Sequence, residues 1–150
     1  RRQRQMCIRD SSQGMTLYDA LQALFEKYGY YGEKTLNLVM PGLDGLKKMA
    51  DLMANLREKP PVEIAGVAVK EQKDYKDGSV VNVADGCKST MELSGSNVLR
   101  YEMADGTSLI VRPSGTEPKI KTYFTTLGKT LEEAQAQKDA LAAAIEPILK

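Results

Sequence analysis

Apolar residues recur at helical spacing just after the N-terminal region. Thr16 and Asp19 form a capping-box pattern, with Asp in place of the usual Glu, and Gly29 is a natural C-terminal stop. The apolar stripe between them consists of Leu17, Ala20, Leu21, Leu24, Phe25 and Tyr28. Because these positions repeat every three to four residues, they predict an amphipathic helix.

Two further stretches have the same spacing. The first covers about residues 44–57, and its apolar face consists of Leu46, Met49, Ala50, Met53 and Leu56. The second follows a capping box formed by Thr130 and Glu133. Its apolar face consists of Ala134, Leu141, Ala144, Ile145 and Ile148. Both stretches predict helices long enough to cover one face of a sheet.

Alternating apolar and polar residues predict strands between these helices. The expected strands cover about residues 35–40, 99–103, 107–112 and 120–124, and VEIAGVAVKEQKDY adds a strand with a glycine break. Asp105 and Gly106 are a strong hairpin signal. The run Leu109-Ile110-Val111 indicates a central strand covered on both faces. Residues 72–95 are polar and predict a long excursion with weak strand content.

This order of elements predicts an α+β fold. We expect a mainly antiparallel sheet of four to five strands with two helices packed on one face. The chain has 150 residues, of which 42% are hydrophobic and 27% charged. That length is enough for one ordinary domain, or for one small domain plus a fragment of another.

Charge and composition argue against several kinds of function. Lys and Arg total 21 and Asp and Glu total 20, so a general nucleic-acid or polybasic membrane surface is not expected. The chain contains no histidine, which excludes a Ser-His-Asp device and a histidine zinc site within it. Cys7 and Cys87 form no metal-ligand pattern and indicate reduced thiols of a cytoplasmic protein.

The first eleven residues do not fit this pattern. Residues 1–11 are basic, lack hydrophobic periodicity and have no initiator methionine at position 1. We expect them to be a tag, an assembly scar or the cut edge of a longer chain. A basic arm that binds nucleic-acid phosphates is the alternative.

The densest group of anion-binding residue types is RPSGTEPK, at residues 112–119. Arg112 can offer a forked guanidinium, and Ser114 and Thr116 can offer hydroxyl donors. Gly115 lets the backbone approach a ligand without a Cβ in the way. These are the groups that a phosphate with three acceptor oxygens requires.

The neighbouring charges leave two interpretations open. Lys119 and Lys121 add positive potential and lie on the same face of a strand. Glu117 is discordant, because a carboxylate repels a phosphate unless it turns away or orients a cation. Pro, Ser, Gly and Thr are also the residues that any turn between strands uses. The residues themselves therefore indicate either a phosphate site or a plain polar turn.

Three stretches together resemble one enzyme family. RPSGTEPKIKTYF resembles the phosphate-binding loop and following strand in the last domain of the α-D-phosphohexomutases. SNVLRYEMADGTSLIV and SQGMTLYDALQALFEKYGYY also resemble that family. The likeness covers nearly everything from about residue 12 onward and is greatest to the bacterial phosphoglucomutase and phosphomannomutase branch. Phosphoglucosamine mutases have a closely similar loop, so the loop does not identify the sugar.

The resemblance implies a four-domain parent that interconverts hexose 1-phosphates and hexose 6-phosphates. A phosphoserine in the first domain would form a hexose 1,6-bisphosphate intermediate, and a loop in the second domain would hold Mg²⁺. The segments that would supply the phosphoserine, the metal ligands and the sugar contacts are not present in this chain. The resemblance therefore implies no catalytic residue and no metal ligand here, and we expect this chain alone to be inactive.

The resemblance also divides the chain and assigns its site. Residues 12–33 would be the helical tail of the third domain, and residues 34–150 the C-terminal domain that holds the non-reacting phosphate. The family's phosphate contacts match Arg112, Ser114, Gly115 and Thr116. Lys121 would also face the phosphate, and Lys119 is an additional candidate.

The implied partners are glucose or mannose phosphates and the remaining domains of the parent. No nucleic acid or membrane is expected, and the implied location is the cytoplasm. The alternative is a stand-alone module that binds a phosphorylated ligand without catalysis.

Overall fold

The structure is a computed structural model that describes residues 8, 11–12, 14–42 and 44–148. From residue 14 onward, the described residues form three helices and eight strands. The helices are α1 (Leu17–Tyr28), α2 (Gly45–Glu58) and α3 (Leu131–Ile148). The strands are β1 (Tyr30–Val39), β2 (Glu63–Ile64), β3 (Val67–Asp74), β4 (Ser79–Asn82), β5 (Lys88–Thr90), β6 (Leu99–Met103), β7 (Ser108–Pro113) and β8 (Lys119–Gly128). The interpretations of residues 1–11 fall almost entirely outside this description.

All strand pairs in the described residues are antiparallel. The strand order is β1-β8-β7-β6-β3-β4-β5, and β2 pairs with the first two residues of β3. The α+β class is thus confirmed, but the sheet has eight strands rather than the expected four to five. The additional strands come mostly from residues 72–95, where the weak strand content is in fact β4, β5 and the end of β3.

The strands β4 and β5 lie at one edge of the sheet, where the apolar signal is weakest. All three residues of β5 are exposed, and those of β4 are only half-buried. Asp77 accepts a hydrogen bond from the Ser79 N–H at 2.8 Å, and Asp85 accepts one from the Cys87 N–H at 2.9 Å. The side chains of Asp77 and Asp85 therefore stabilise two turns within the segment that was expected to be a long excursion.

The opposite edge is β1, which is longer than expected. It begins at Tyr30 rather than near Thr35, and its ten residues pair with β8 without a break. Gly32 allows the first part of β1 to lie close to β8 and α3. A Cβ at this position would lie 2.6 Å from Thr126 Oγ1 and 2.8 Å from the Ala134 carbonyl oxygen. The expected domain boundary between residues 33 and 34 falls inside this strand, and the division into domains stays a prediction.

The helices α2 and α3 both contribute to a core on one face of the sheet. The core includes Met49, Met53, Leu56, Leu99, Tyr101, Met103, Leu109, Val111, Ile120, Phe124, Leu141 and Ile145. Thr126 joins α3 to the sheet, because its hydroxyl donates to the Ala134 carbonyl at 2.8 Å. The prediction of two helices on one face is therefore confirmed.

The central strand β7 is covered on one face only. Leu109 and Val111 are fully buried beneath the helices, whereas Ile110 is half-buried on the opposite face. We call this opposite face the open face. Neither α2 nor α3 packs on it, so the expectation that both faces of β7 are covered is wrong for the residues that the structure describes.

The C-terminal end of α2 is held to the sheet by polar side chains. The Leu56 carbonyl accepts hydrogen bonds from Gln72 Nε2 at 3.0 Å and from the Tyr101 hydroxyl at 3.1 Å. Burial raises the pKa of Tyr101 well above its usual value. Arg57 pairs with Asp74, with 2.6 Å between Nε and Oδ2, and its Nη2 donates to Asn97 Oδ1 at 2.5 Å. The two bonds from Gln72 and Tyr101 provide partners for a backbone carbonyl near the end of the helix, which would otherwise be unpaired.

The predicted capping boxes are observed in two forms. At α1, Thr16 Oγ1 accepts from the Asp19 N–H at 3.1 Å, and Asp19 Oδ2 accepts from the Thr16 N–H at 2.8 Å. The hydrogen bonds from Thr16 lower the pKa of Asp19. At α3, the Glu133 N–H donates to Thr130 Oγ1 at 3.2 Å, but the Glu133 carboxylate accepts from the Lys129 N–H instead.

Candidate functional site

The candidate site is the connection between the central strands β7 and β8. Residues 114–118 cross from one strand to the other, and the Ser114 N–H donates to the Lys119 carbonyl at 2.8 Å. The Lys119 N–H donates to the Glu117 carbonyl at 2.7 Å. The two bonds close the base of the loop and leave its tip outside the sheet ladder.

The tip of this loop presents several hydrogen-bond donors that have no partner among the described residues. The N–H groups of Gly115, Thr116 and Glu117 and the hydroxyls of Ser114 and Thr116 make no hydrogen bond with any described residue. Gly115 is exposed, and a Cβ built there would meet no atom within 4 Å. The glycine therefore borders open space, where an anion could approach the backbone closely.

Two cations stand side by side next to the loop. Arg112 on β7 and Lys121 on β8 are direct cross-strand partners, so their side chains leave the same open face of the sheet. Arg112 is exposed and Lys121 is half-buried. Neither forms an ion pair within the described part of the chain. The pairing brings together two residues that are nine positions apart in the sequence.

Lys119 has a different environment from these two cations. It forms an ion pair with Glu117. The hydrogen bond from Lys119, and then the charges of Lys119 and Lys121, lower the pKa of Glu117. The Glu117 carboxylate is thus paired with Lys119, whereas Arg112 and Lys121 form no ion pair with a described residue. A phosphate at pH 7 carries about −1.5 to −2, which two such cations can balance.

Three other properties of the described residues concern metal binding, cavities and membrane spans. In residues 8, 11–12, 14–42 and 44–148, no group of three or more His, Cys, Asp or Glu side chains could hold a metal ion. A groove of about 900 Å³ lies between β1, α2 and the end of α3. None of the described helices is both long and apolar enough to cross a bilayer.

One support of the loop was not anticipated from the sequence. The Pro118 carbonyl accepts a hydrogen bond from the Met40 N–H at 2.8 Å, at the end of β1. Pro118 also lies against Gly45, where α2 begins. Met40 and Gly45 are more than seventy positions from Pro118 in the sequence, and neither has an anion-binding side chain.

Comparisons with known proteins identify the family of this chain. A profile of the phosphoglucomutase/phosphomannomutase C-terminal domain matches residues 36–144. The chain is 32% identical over 127 residues to a phosphoglucomutase of Staphylococcus saprophyticus, covering 85% of this chain and 23% of that protein. It is 37% identical over 112 residues to a phosphoglucomutase of Staphylococcus aureus strain N315, covering 75% and 20%.

A solved structure shares the fold. Pp63/parafusin, a phosphoglucomutase from Paramecium in its open form, superposes with a TM-score of 0.50 at 18% identity. The match covers 89% of this chain and 22% of that one. This chain therefore spans about a fifth of the length of the relatives that it matches. It belongs to the phosphoglucomutase/phosphomannomutase family and carries the family's C-terminal domain.

Proposed function

We propose that the β7–β8 loop binds the non-reacting phosphate of a hexose phosphate. The observation that carries this proposal is the cross-strand pair of Arg112 and Lys121 beside a loop tip with free N–H and hydroxyl donors. Arg112 would grip two phosphate oxygens with its fork. Lys121 would add a point charge, which attracts the phosphate without fixing its orientation.

The donors at the loop tip would complete this phosphate site. Ser114 and Thr116 would donate their hydroxyls, and the exposed Gly115 would allow the backbone N–H groups to point at the oxygens. Lys119 would act mainly by holding the Glu117 carboxylate away from the ligand. All of these groups donate hydrogen bonds or carry positive charge, which suits the phosphate common to both ends, so the loop would accept either end of a hexose bisphosphate.

The wider activity that we propose belongs to a longer parent. The parent would interconvert hexose 1-phosphate and hexose 6-phosphate through a hexose 1,6-bisphosphate, with glucose or mannose as the sugar and the cytoplasm as its location. Mg²⁺ and the phosphoserine would be held by parts of the parent outside this chain, and none of the roles proposed here depends on them. The apolar stripe of α1, in which no residue is buried, favours this arrangement over a stand-alone module.

The test is the affinity of the chain for inorganic phosphate and for glucose 1-phosphate, measured by isothermal titration calorimetry. We expect Arg112→Ala to weaken the binding of both by about 2 kcal/mol, or roughly 30-fold in Kd. Lys129→Ala is the matched control, because it removes one exposed positive charge just beyond the far end of β8. Equal losses in the two variants would show that only net charge matters and would contradict the proposed site.

A second assay separates binding from catalysis. We expect the 150-residue chain to convert no glucose 1-phosphate to glucose 6-phosphate, because it lacks a phosphoryl donor. A coupled assay for glucose 6-phosphate measures this directly. Turnover above background would contradict the assignment of the chain as a binding part of a larger enzyme.

A further inference from the structure

We propose that Gly45 is a positioning residue for the phosphate loop, although it does not touch the ligand. Gly45 is buried at the first position of α2. A Cβ added there would fall directly onto the Met40 carbonyl oxygen and 2.9 Å from Cβ of Pro118. The inference rests on the proposed function, because it concerns the same phosphate site.

Two neighbours, rather than its own backbone, require glycine at this position. The φ angle of Gly45 lies outside the left-handed region, so an alanine is compatible with the local chain path. Backbone atoms such as the Met40 carbonyl cannot rotate away as a flexible side chain can. An alanine must therefore move α2, the end of β1 or Pro118.

Met40 carries this displacement to the loop. Its carbonyl faces Gly45, and its N–H donates to the Pro118 carbonyl at 2.8 Å. Cβ of Pro118 also lies beside the space that an added methyl group at Gly45 would occupy. A shift of either Met40 or α2 thus reaches Pro118 by two routes.

The loop has few other restraints that could absorb such a shift. Gly115 and Thr116 are exposed and make no hydrogen bond with described residues. The base is closed between Ser114 and Lys119, directly beside Pro118. The position of Pro118 therefore sets where the tip and its donors lie, and a small displacement of binding groups is costly to affinity.

The direct test is Gly45→Ala in the 150-residue chain, studied by amide NMR with inorganic phosphate as the probe. We expect the amides of residues 114–117 to shift before any phosphate is added. We also expect the Kd for phosphate to rise roughly tenfold. This is less than the ~100-fold loss of rate that a 1 Å misplacement of reacting groups can cause. Met49→Ala is the control, because it weakens the core one turn further along α2 without adding an atom at the Gly45 position.

A double-mutant cycle separates positioning from general destabilisation. If Gly45 acts through Pro118, Gly45→Ala will weaken phosphate binding much less in a Pro118→Gly background than in the native chain. Additive losses, or a Met49→Ala loss as large as that of Gly45→Ala, would overturn the proposal. Should Gly45→Ala not fold, Met40→Pro removes the N–H that bonds Pro118, and unchanged loop amides and Kd in that variant would overturn it.

The outcomes for the two proposals are distinguishable. If the native chain binds phosphate and Gly45→Ala binds it equally well, the positioning role is contradicted and the proposed function is not. Native chain that does not bind phosphate contradicts the proposed function and, with it, the functional part of this inference. In that case the loop amides of Gly45→Ala still show whether the structural link exists.

Discussion

Replacement of Arg57 by Met should destabilise the fold by more than a surface substitution does. Arg57 lies in the last turn of α2 and pairs with Asp74 at the end of β3, with a second contact of 3.4 Å between Nη2 and Oδ1. It also donates to Asn97, which precedes β6. Met retains the aliphatic stem of arginine and removes only the guanidinium, so the change in packing is small.

The magnitude follows from what remains around Asp74. The side chain of Asp74 is 9% exposed and that of Arg57 is 21% exposed. Without Arg57, the carboxylate retains one hydrogen bond, from the Lys76 N–H at 2.8 Å. Removing one partner of a buried pair costs about 3–5 kcal/mol, whereas an exposed pair contributes about 0–1 kcal/mol. Because Asp74 retains a donor and Arg57 is partly exposed, we expect a loss of about 2 kcal/mol.

Urea unfolding at pH 7 measures this loss, provided that the m-values of the variants agree. The matched control is Lys34→Met, which breaks an exposed ion pair with Asp139 whose side chains are 37% and 64% exposed. We expect the control to cost less than about 0.5 kcal/mol. Arg57→Lys keeps the charge without the fork and should lie between the two. A loss for Arg57→Met no larger than for Lys34→Met would refute the reasoning.

Two further substitutions test the sheet. Thr122→Val should raise the free energy of unfolding by about 1 kcal/mol, because Thr122 Oγ1 is buried without a partner among the described residues; a lower melting temperature would contradict this. Glu102→Gln should reduce stability at pH 7 by more than it does at pH 3. The hydrogen bond from Lys73 holds the pKa of Glu102 below its ordinary 4.5, so this stability is present above pH 4.5 and is lost as pH falls through the folded pKa. An equal difference between the two proteins at both pH values would rule this explanation out.

The parts of the fold that were predicted correctly have local signals. Leu99, Tyr101 and Met103 alternate with polar residues, and Asp105 Oδ1 accepts from the Thr107 N–H at 2.9 Å in the expected turn. The parts that were missed depend on tertiary contacts. Nothing in the three exposed residues of β5 marks a strand, and β4 determines that they pair.

The same distinction applies to the candidate site. Residue types identified the loop, but cross-strand pairing is what places Arg112 opposite Lys121. Lys119 and Lys121 look equivalent in the sequence, but in the structure Lys119 pairs with Glu117 whereas Lys121 lies opposite Arg112. Gly45 and Pro118 belong to distant segments, and there is room for Pro118 because Gly45 has no side chain. No local pattern in the sequence could indicate this arrangement.

The most direct measurement for the phosphate site is an amide NMR titration of the native chain with inorganic phosphate, glucose 1-phosphate and glucose. We expect the two phosphates to cause saturable shifts of the Ser114, Gly115 and Thr116 amides, and glucose to cause none. The shifts should be lost in Arg112→Ala. Absence of shifts at millimolar phosphate, or equal shifts with glucose, would contradict a loop that binds the phosphate and not the sugar.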